Sequence, residues 1–355
     1  MRATTLHGPF DIRLSDVPDP AVVAPTDALV RVVVSCICGS DLWPYRGDHP
    51  EGVERRIGHE FVGVVEDTGS AVTTVTAGDL VIAPFLWSDG TCAFCTRGLQ
   101  TSCVSGGGYG APDRDGVLVD GGQGEYVRVP QADGTLVAVP SSGASGPGGV
   151  DEVLLPSLLA LSDVMGTGHH AALAARVGPG STVAVVGDGA VGLCGVLAAR
   201  RLGAERVVAM SRHAARQEIA RSFGATDVVE ARGEDGAAAV VEVLGGIGAD
   251  AVLECVGTKD AMDQALATVR PGGAVGFVGV PHGVELDVRT MFRRNLTVGG
   301  GVAPVRAYLP ELLGDVLSGA IAPGLVFDLE LPLADVAAGY TAMHERRATK
   351  VLLRP

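Results

Sequence analysis

The chain has 355 residues, of which 47% are apolar and 19% charged, and it carries a net charge of −14 at pH 7. At roughly 150 residues per domain, this length predicts about two domains with a sizeable core, and it excludes a disordered or fibrous protein. The negative charge repels phosphate backbones and anionic membrane surfaces. We therefore expect neither a nucleic acid nor a membrane as a partner.

The cellular compartment is predicted from the apolar runs and the cysteines. No apolar run reaches the roughly 18 residues of a membrane helix, and the opening MRATTLHGPF lacks an apolar signal region. Seven cysteines are too few for a disulfide framework in a chain of this length. Their clustering is typical of metal binding in a reducing compartment. These features predict a cytoplasmic protein.

The first 140 residues contain short valine-rich runs, such as 28–34 and 61–66, which glycine, proline and aspartate interrupt. This pattern predicts antiparallel strands joined by loops. The stretch 141–149, SSGASGPGG, has no periodicity and is interpreted as an exposed loop or a linker.

After Val153, helical segments rich in alanine and leucine alternate with short buried strands. The strands are predicted at 182–186, 206–210, 251–255 and 274–278. Such alternation predicts a parallel, doubly wound sheet. Beyond about Arg289 the alternation fades and leaves a helical pattern at 308–317 and a final strand near Val351. We expect this tail to return to the first domain.

A glycine motif follows the predicted strand 182–186. The strand runs directly into GDGAVG at 187–192, and a helical segment follows at 193–202. This is a GxGxxG motif in the strand, turn and helix setting that dinucleotide binding requires. An ordinary glycine turn is the alternative, but the setting favours a dinucleotide site.

Each position of the motif has a physical role in such a site. Gly187 allows the tight turn, Gly189 lets the backbone approach a pyrophosphate, and Gly192 permits close packing of helix on strand. Ala190 and Val191 complete the motif as candidate cofactor contacts, and the helix N-terminus after it faces the phosphates with free N–H groups.

The residues after the strand 206–210 indicate which dinucleotide binds. In an NAD site an acidic residue stands there and accepts from the ribose 2′-hydroxyl. Here Ser211 and Arg212 follow instead, with His213 and Arg216 close behind. Such a set can bind and neutralise a 2′-phosphate, which favours NADP. NAD is the alternative if these are solvated residues at a helix start, with Ser211 as N-cap.

A second motif, D-x2-C-x2-C-x7-C, is formed by Asp89, Cys92, Cys95 and Cys103. Three thiols close together on a glycine-bearing loop are not explained by core packing, because structural cysteines usually lie on apolar elements. A closed tetrahedral zinc site explains them. Asp89 is the candidate fourth ligand, although a surface turn residue is the alternative.

A further set of metal-binding residue types is dispersed along the chain. Cys38 lies in SCICGSD and the pair His59 and Glu60 in IGHEF, and these types suit a catalytic zinc with an open position. Asp163, in LSDVMGTGHH, could add a carboxylate or could cap a helix. Taken alone, the cysteine could be a small core residue and the histidine a satisfied polar group.

Together and in this order, the motifs resemble the zinc-dependent medium-chain dehydrogenase/reductase family of the alcohol dehydrogenase type. The resemblance covers essentially the whole chain and includes the terminal KVLLRP from Lys350. It implies an α/β fold with a GroES-like β-barrel catalytic domain at 1–152, completed by 290–355. A Rossmann domain with a doubly wound parallel sheet is implied at 153–289.

The resemblance also implies roles for the dispersed residues. By position, Cys38, His59 and Asp163 match the catalytic zinc ligands, and Glu60 matches a glutamate that can complete or exchange with the coordination sphere. An aspartate as third ligand, Asp163, is similar to the bacterial secondary-alcohol dehydrogenase branch.

Other positions match groups around the metal and the cofactor. Asp41 matches a carboxylate that accepts from the zinc-bound imidazole and fixes its tautomer. Ser40 matches the hydroxyl that takes the substrate proton. Thr167 matches a nicotinamide contact, and Lys350 matches a basic residue near the pyrophosphate.

Two positions depart from the family pattern. Asp89 replaces the first of four cysteines, so zinc could bind more weakly there or be absent. Trp43 stands where relatives often carry a proton-relaying histidine, so His49 or water must relay the proton, or the relay is shorter. The aromatic and methionine residues that are candidates for the substrate pocket wall or for ordinary core are Trp43, Phe85, Trp87 and Met291.

The implied function is reversible hydride transfer between an alcohol, expected to be secondary, and NADP(H), with zinc as a Lewis acid. Small secondary alcohols, polyols and larger biosynthetic intermediates all stay open as substrates. A homodimer or homotetramer follows the family habit. One alternative is a zinc-independent enone or quinone reductase on the same scaffold, which would have no use for Cys38, His59 and Asp163. A non-catalytic dinucleotide-sensing protein is the other alternative, and the intact ligand set argues against it.

Overall fold

The structure is a computed structural model that describes residues 1–48 and 54–355. The chain divides into two compact units, residues 1–163 with 304–355 and residues 164–303. The sequence predicts divisions after residues 152 and 289. In the structure both divisions lie later, after residues 163 and 303. Among the described residues, no helix combines the length and apolar character needed to cross a membrane.

The N-terminal part of the first unit is rich in short strands. Its elements are β1 (Arg2–Gly8), β2 (Asp11–Asp16), β3 (Ala28–Ile37), α1 (Leu42–Arg46), β4 (Arg55–Arg56), β5 (Phe61–Thr68), β6 (Leu80–Ala83), β7 (Leu86–Trp87), β8 (Gly107–Gly108), β9 (Tyr126–Val129), α2 (Ala132–Thr135), β10 (Val137–Ala138) and α3 (Leu155–Ala160).

β3 is the central strand of this unit and pairs antiparallel with β5 and β9. Alternate side chains such as Val30 and Val32 are buried in a common core, while Arg31 between them is exposed. This period of two is what an antiparallel strand with one buried face requires.

The second unit alternates helices and strands, as the sequence predicts. Its elements are α4 (Val164–Ala174), β11 (Thr182–Val186), α5 (Ala190–Arg201), β12 (Arg206–Met210), α6 (Ala214–Ser222), β13 (Asp227–Val229), α7 (Gly233–Val243), β14 (Ala249–Glu254), α8 (Lys259–Thr268), β15 (Val269–Phe277), α9 (Val288–Arg294) and β16 (Thr297–Gly300).

These strands form one parallel sheet in the order β13-β12-β11-β14-β15-β16. The order reverses between β11 and β14, and ligands of doubly wound sheets bind at the carboxyl ends of the strands at such a point. The glycine motif at 187–192 follows β11 and therefore lies there. The predicted doubly wound parallel sheet is confirmed.

The chain then returns to the first unit. The returning elements are α10 (Val305–Leu317), β17 (Leu329–Pro332), α11 (Val336–His344) and β18 (Val351–Arg354). β18 pairs antiparallel with β3, and β17 runs parallel to β18. The tail thus completes the sheet of the first unit.

Both divisions differ from the sequence prediction for physical reasons. The first lies later because α3 packs on β3 and β5. The second lies later because β16 adds a parallel strand beside β15. The stretch 141–149 is a loop within the first unit that ends in a 3₁₀ turn, Pro147–Gly149, so it does not connect the two units.

The glycine motif has the conformation that its residues predict. Gly187 has φ of +116°, which favours glycine, and a Cβ on Gly192 would lie 2.0 Å from the Gly187 carbonyl oxygen. Gly189 precedes α5 with φ of −76°, and a Cβ there would meet no atom within 4 Å. Close packing therefore explains Gly192, whereas space alone would admit a side chain at Gly189.

We predict that Gly192→Ala lowers the free energy of unfolding by about 2–3 kcal/mol, because the added methyl group must displace backbone. The matched control Gly189→Ala should cost at most about 1 kcal/mol. Urea denaturation without cofactor measures both. Equal losses for the two variants would contradict this packing account.

Candidate functional site

The first ligand of the candidate catalytic metal site follows the end of β3. Cys38 begins a 3₁₀ turn, Gly39–Asp41, in which the Cys38 backbone N–H donates to Asp41 Oδ2 at 2.9 Å. The Ser40 N–H in turn approaches Cys38 Sγ at 3.5 Å. These reciprocal contacts fix the Cys38 thiol and the Asp41 carboxylate relative to each other.

The strand pairing brings the other ligands to this turn. Ser35 of β3 pairs with Phe61 of β5, so His59 and Glu60, just before β5, lie beside the end of β3. The candidate ligand atoms of Cys38, His59, Glu60 and Asp163 all lie within 4.8 Å of one another. The predicted catalytic set is therefore assembled within the first unit.

The distances within this set suit zinc. Asp163 Oδ2 lies 3.8 Å from Cys38 Sγ and 3.6 Å from His59 Nε2. Zinc bound tetrahedrally to sulfur at about 2.3 Å and to nitrogen or oxygen at about 2.0 Å separates its ligand atoms by roughly 3.3–3.8 Å. The cysteine, histidine and carboxylate donors are also those that zinc prefers.

A buried hydrogen-bond network orients the His59 imidazole. Its Nδ1 lies 3.4 Å from Asp41 Oδ1, which leaves Nε2 toward the other ligands. Asp41 Oδ2 accepts from Gln123 Nε2 at 3.1 Å, and Gln123 Oε1 accepts from the Tyr340 hydroxyl at 3.0 Å. A metal-binding histidine is commonly held in this way by a carboxylate on its other nitrogen.

Sequence reasoning missed Gln123 and Tyr340. Gln123 lies in a glycine-rich loop and Tyr340 on α11, far apart in the chain. No local motif marks either residue. Only the return of the tail to the first unit brings them together.

The charges in the set perturb its proton affinities. Burial by itself lowers the pKa of His59, but Asp41 and Cys38 together raise it well above its ordinary value. Burial and Glu60 raise the pKa of the Cys38 thiol, and His59 partly offsets this. These shifts arise because several acidic groups lie close together. A divalent cation would offset their negative charge and favour the deprotonated forms that bind metal.

Glu60 has one carboxylate oxygen paired and one unpaired. The side chain is fully buried, Oε1 accepts from Lys350 Nζ at 2.7 Å, and Oε2 has no hydrogen-bond partner. A buried unpaired oxygen is costly. A metal ion at the ligand set would satisfy it.

Lys350, which the sequence places near the cofactor pyrophosphate, is buried beside Glu60 in the structure. The Lys350 ammonium is 1% exposed and also reaches the Ile37 carbonyl, at 3.4 Å. Its neighbour Val351 pairs with Ile37, so β18 carries the lysine into the interior beside Glu60. In this position the ammonium faces a carboxylate and not solvent.

The cysteine motif forms a second candidate metal site. The ligand atoms of Asp89, Cys92, Cys95 and Cys103 lie within 4.8 Å of one another. The sulfurs of Cys92 and Cys103 are 3.9 Å apart, close to the roughly 3.8 Å of two thiolates on tetrahedral zinc. All four positions of the motif therefore converge, Asp89 included.

Local hydrogen bonds favour the anionic forms of Asp89 and Cys92, whereas burial raises the pKa of the other two thiols of the set. Asp89 Oδ1 accepts from the N–H groups of Thr91 and Cys92 at 2.8 and 2.9 Å. Although burial opposes it, these bonds lower the pKa of Asp89 to about 2. Backbone N–H groups of Cys95 and Val104 lower the pKa of Cys92 to about 7. Both groups are thus prepared to bind a cation.

Apart from Lys350, the candidate cofactor residues lie in the second unit. Ser211 and Arg216 both contact Asp188, an acidic residue of the glycine motif that sequence reasoning did not assign. Arg212 is exposed beside them. Thr167 lies on α4 of the same unit, and its nicotinamide contact stays a prediction.

The candidate pocket-wall residues fall into two groups. Trp87 and Met291 pack into the cores of their units, which explains them without a substrate. Phe85 lies edge-on to the His59 ring, with centroids 6.4 Å apart, and Trp43 lies beside Arg46. His49, the candidate proton relay, lies outside the described residues.

Comparison with known proteins agrees with this geometry. Residues 24–141 match the family described as alcohol dehydrogenase GroES-like domain, and residues 190–317 match zinc-binding dehydrogenase. A protein of Mycobacterium tuberculosis named probable zinc-binding alcohol dehydrogenase is 36% identical, and the match covers 100% of this chain and 89% of that protein.

Solved structures show the same likeness. Alcohol dehydrogenase TADH from Thermus sp. ATN1 superposes with a TM-score of 0.89 at 34% identity, covering 100% of this chain and 99% of that one. A putative zinc-binding dehydrogenase from Sinorhizobium meliloti, bound to NADP, has a TM-score of 0.81 at 27% identity, with 100% and 99% coverage.

The fold and the two ligand sets define a zinc-binding dehydrogenase with a GroES-like and a Rossmann-type unit. The chain belongs to the zinc-type alcohol dehydrogenases of the medium-chain dehydrogenase/reductase family. The predicted α/β fold class is confirmed.

Proposed function

We propose that this protein is a zinc-dependent alcohol dehydrogenase and carbonyl reductase that transfers a hydride reversibly between a secondary alcohol and NADP(H). The convergence of Cys38, His59, Glu60 and Asp163 on one point carries the proposal. A zinc-independent enone or quinone reductase, or a non-catalytic dinucleotide sensor, would have no use for this set. A homodimer or homotetramer and a small alcohol or ketone substrate follow from the family resemblance.

The residues around the candidate metal site divide the work. When bound, zinc supplies a Lewis acid that polarises the substrate oxygen. Cys38, His59 and Asp163 would hold the ion, and Asp41 would hold the imidazole of His59 in the required tautomer. The aspartate at position 163 resembles the bacterial secondary-alcohol branch, which supports a secondary alcohol as substrate.

Ser40 is the residue assigned to the substrate proton. It is exposed, follows the ligand Cys38 by two positions, and lines a cavity that His59 also lines. In the oxidative direction its hydroxyl accepts the proton of the substrate alcohol and passes its own proton on. Trp43 cannot continue the relay, so His49 or water would take the proton next, or the relay is shorter.

The charge around His213 supports NADP. After the effect of burial, Arg216, Arg212 and Arg232 lower the pKa of this histidine, and Asp188 acts in the opposite direction. These guanidinium groups are suited to binding a 2′-phosphate, and Asp188 is the opposing charge. The Sinorhizobium meliloti relative bound to NADP is consistent with this choice.

We propose that Asp89, Cys92, Cys95 and Cys103 bind a second zinc that is structural. The set has four protein ligands, as closed structural sites do, whereas catalytic sites keep a position open. Its zinc would stabilise the loop and take no part in hydride transfer.

We predict that Cys38→Ser lowers kcat/KM by at least about 10³-fold, because the catalytic zinc is lost and its charge stabilisation of several kcal/mol with it. Cofactor binding should be largely retained, since the glycine motif lies in the other unit. Steady-state kinetics, metal analysis and nucleotide titration measure these effects. The control is Cys194→Ser, the same exchange at a buried cysteine of the other unit, which should keep its zinc. Full activity in Cys38→Ser would overturn the zinc assignment.

We predict that Arg212→Asp reverses the cofactor preference. The exchange removes a charge-assisted hydrogen bond and adds a repulsive carboxylate, so the ratio of kcat/KM for NADP to that for NAD should fall roughly 10²-fold. Arg221→Asp, the same change at an exposed position of α6, is the control and should leave the ratio unchanged. An unchanged ratio in Arg212→Asp, or a wild type that prefers NADH, would refute the NADP assignment.

A further inference from the structure

Asp188 is brought to the predicted 2′-phosphate residues by the parallel pairing of β11 with β12. Val186 and Met210, the last residues of these strands, are register partners. Asp188 lies two residues beyond β11, and Ser211 follows β12 directly. The two side chains therefore meet at the carboxyl edge of the sheet.

Both oxygens of the Asp188 carboxylate are engaged there. Ser211 Oγ donates to Asp188 Oδ2 at 2.8 Å, and Arg216 Nη1 donates to Asp188 Oδ1 at 3.2 Å. Asp188 is 8% exposed and Ser211 2% exposed. The Asp188 carboxylate is thus bonded to two of the four residues that the sequence assigns to a 2′-phosphate, Ser211 and Arg216.

The surrounding contacts hold this arrangement in place. The Ser211 N–H donates to the Val229 carbonyl at 3.0 Å, and Gln217 Nε2 donates to the Ser211 carbonyl at 3.0 Å. Ser211 is therefore fixed by its own backbone. Arg212 is exposed. Unlike Arg216, it can bind a phosphate without breaking a hydrogen bond to Asp188.

We propose that Asp188 is a specificity-determining residue of the cofactor site, which accepts from a ribose 2′-hydroxyl and competes with a 2′-phosphate for Ser211 and Arg216. A carboxylate has about four lone-pair sites, so the bonds from Ser211 and Arg216 leave acceptor capacity for a hydroxyl. A phosphate, by contrast, must approach a buried negative charge. Asp188 thereby limits the preference for NADP and keeps NAD usable.

This inference rests on the proposed dinucleotide function but not on the proposed preference. The glycine-motif carboxylate replaces the acidic residue that an NAD site normally has at the end of its second strand. Sequence reasoning finds no acid after Met210 because the acid comes from the neighbouring strand.

The test is calorimetric titration of the zinc-loaded protein with adenosine 2′,5′-bisphosphate and with 5′-AMP, which differ only in the 2′-phosphate. Asp188→Asn keeps the shape of the side chain and removes its charge. We expect it to bind the bisphosphate about 10-fold more tightly and to bind 5′-AMP with equal or lower affinity. Asp227→Asn removes the same charge at the opposite end of β12 and β13, where Asp227 pairs with Arg206. It should change neither affinity by more than about threefold.

Two outcomes would overturn the proposal. Weaker bisphosphate binding in Asp188→Asn would mean that Asp188 only positions Ser211 and Arg216. An equal change for both nucleotides would mean a general effect on the loop. Circular dichroism checks folding, and Asp188→Ser is the second variant if Asp188→Asn does not fold. A wild type that prefers 5′-AMP would refute the NADP preference alone, because the comparison of variant with wild type still decides the role of Asp188.

Discussion

The antiparallel pairing of β3 with β5 and β18 is the constraint on which the candidate metal site depends. It places Cys38 after one strand, His59 and Glu60 before the second, and Lys350 before the third. Because the register is fixed by buried alternate side chains, a slip of one residue would turn the core face outward and separate the ligands. The strand register therefore determines both the packing of the core and the positions of the candidate ligands.

The site also buries charge, and the surrounding residues compensate for it. The Glu60 carboxylate is paired with the Lys350 ammonium on one oxygen, and Asp41 accepts from Gln123 while facing His59. Buried ions are tolerated when such partners satisfy them. The unpaired Glu60 oxygen is the exception, and it lies in the same ligand set.

The sequence predicts what depends on local pattern. The buried strands at 182–186 and 206–210 and the glycine turn between β11 and α5 are found as predicted, because apolar runs and glycine conformations are local properties. Long-range pairing decides the rest. The contact of Asp188 with Ser211, the burial of Lys350 and the later division of the chain all follow from which strands are neighbours, which no local pattern reveals. The role of the predicted site residues in binding metal and cofactor stays a prediction.

The most direct test of the account is the dependence of hydride transfer on zinc. Nicotinamide absorbance should be followed with NADP and a panel of secondary alcohols, polyols and aldehydes, for untreated protein, chelator-stripped protein and the stripped protein with zinc restored. The account predicts turnover on a secondary alcohol that disappears on stripping and returns with zinc. Turnover that persists at full rate in the stripped protein, with metal analysis showing no zinc, would contradict it.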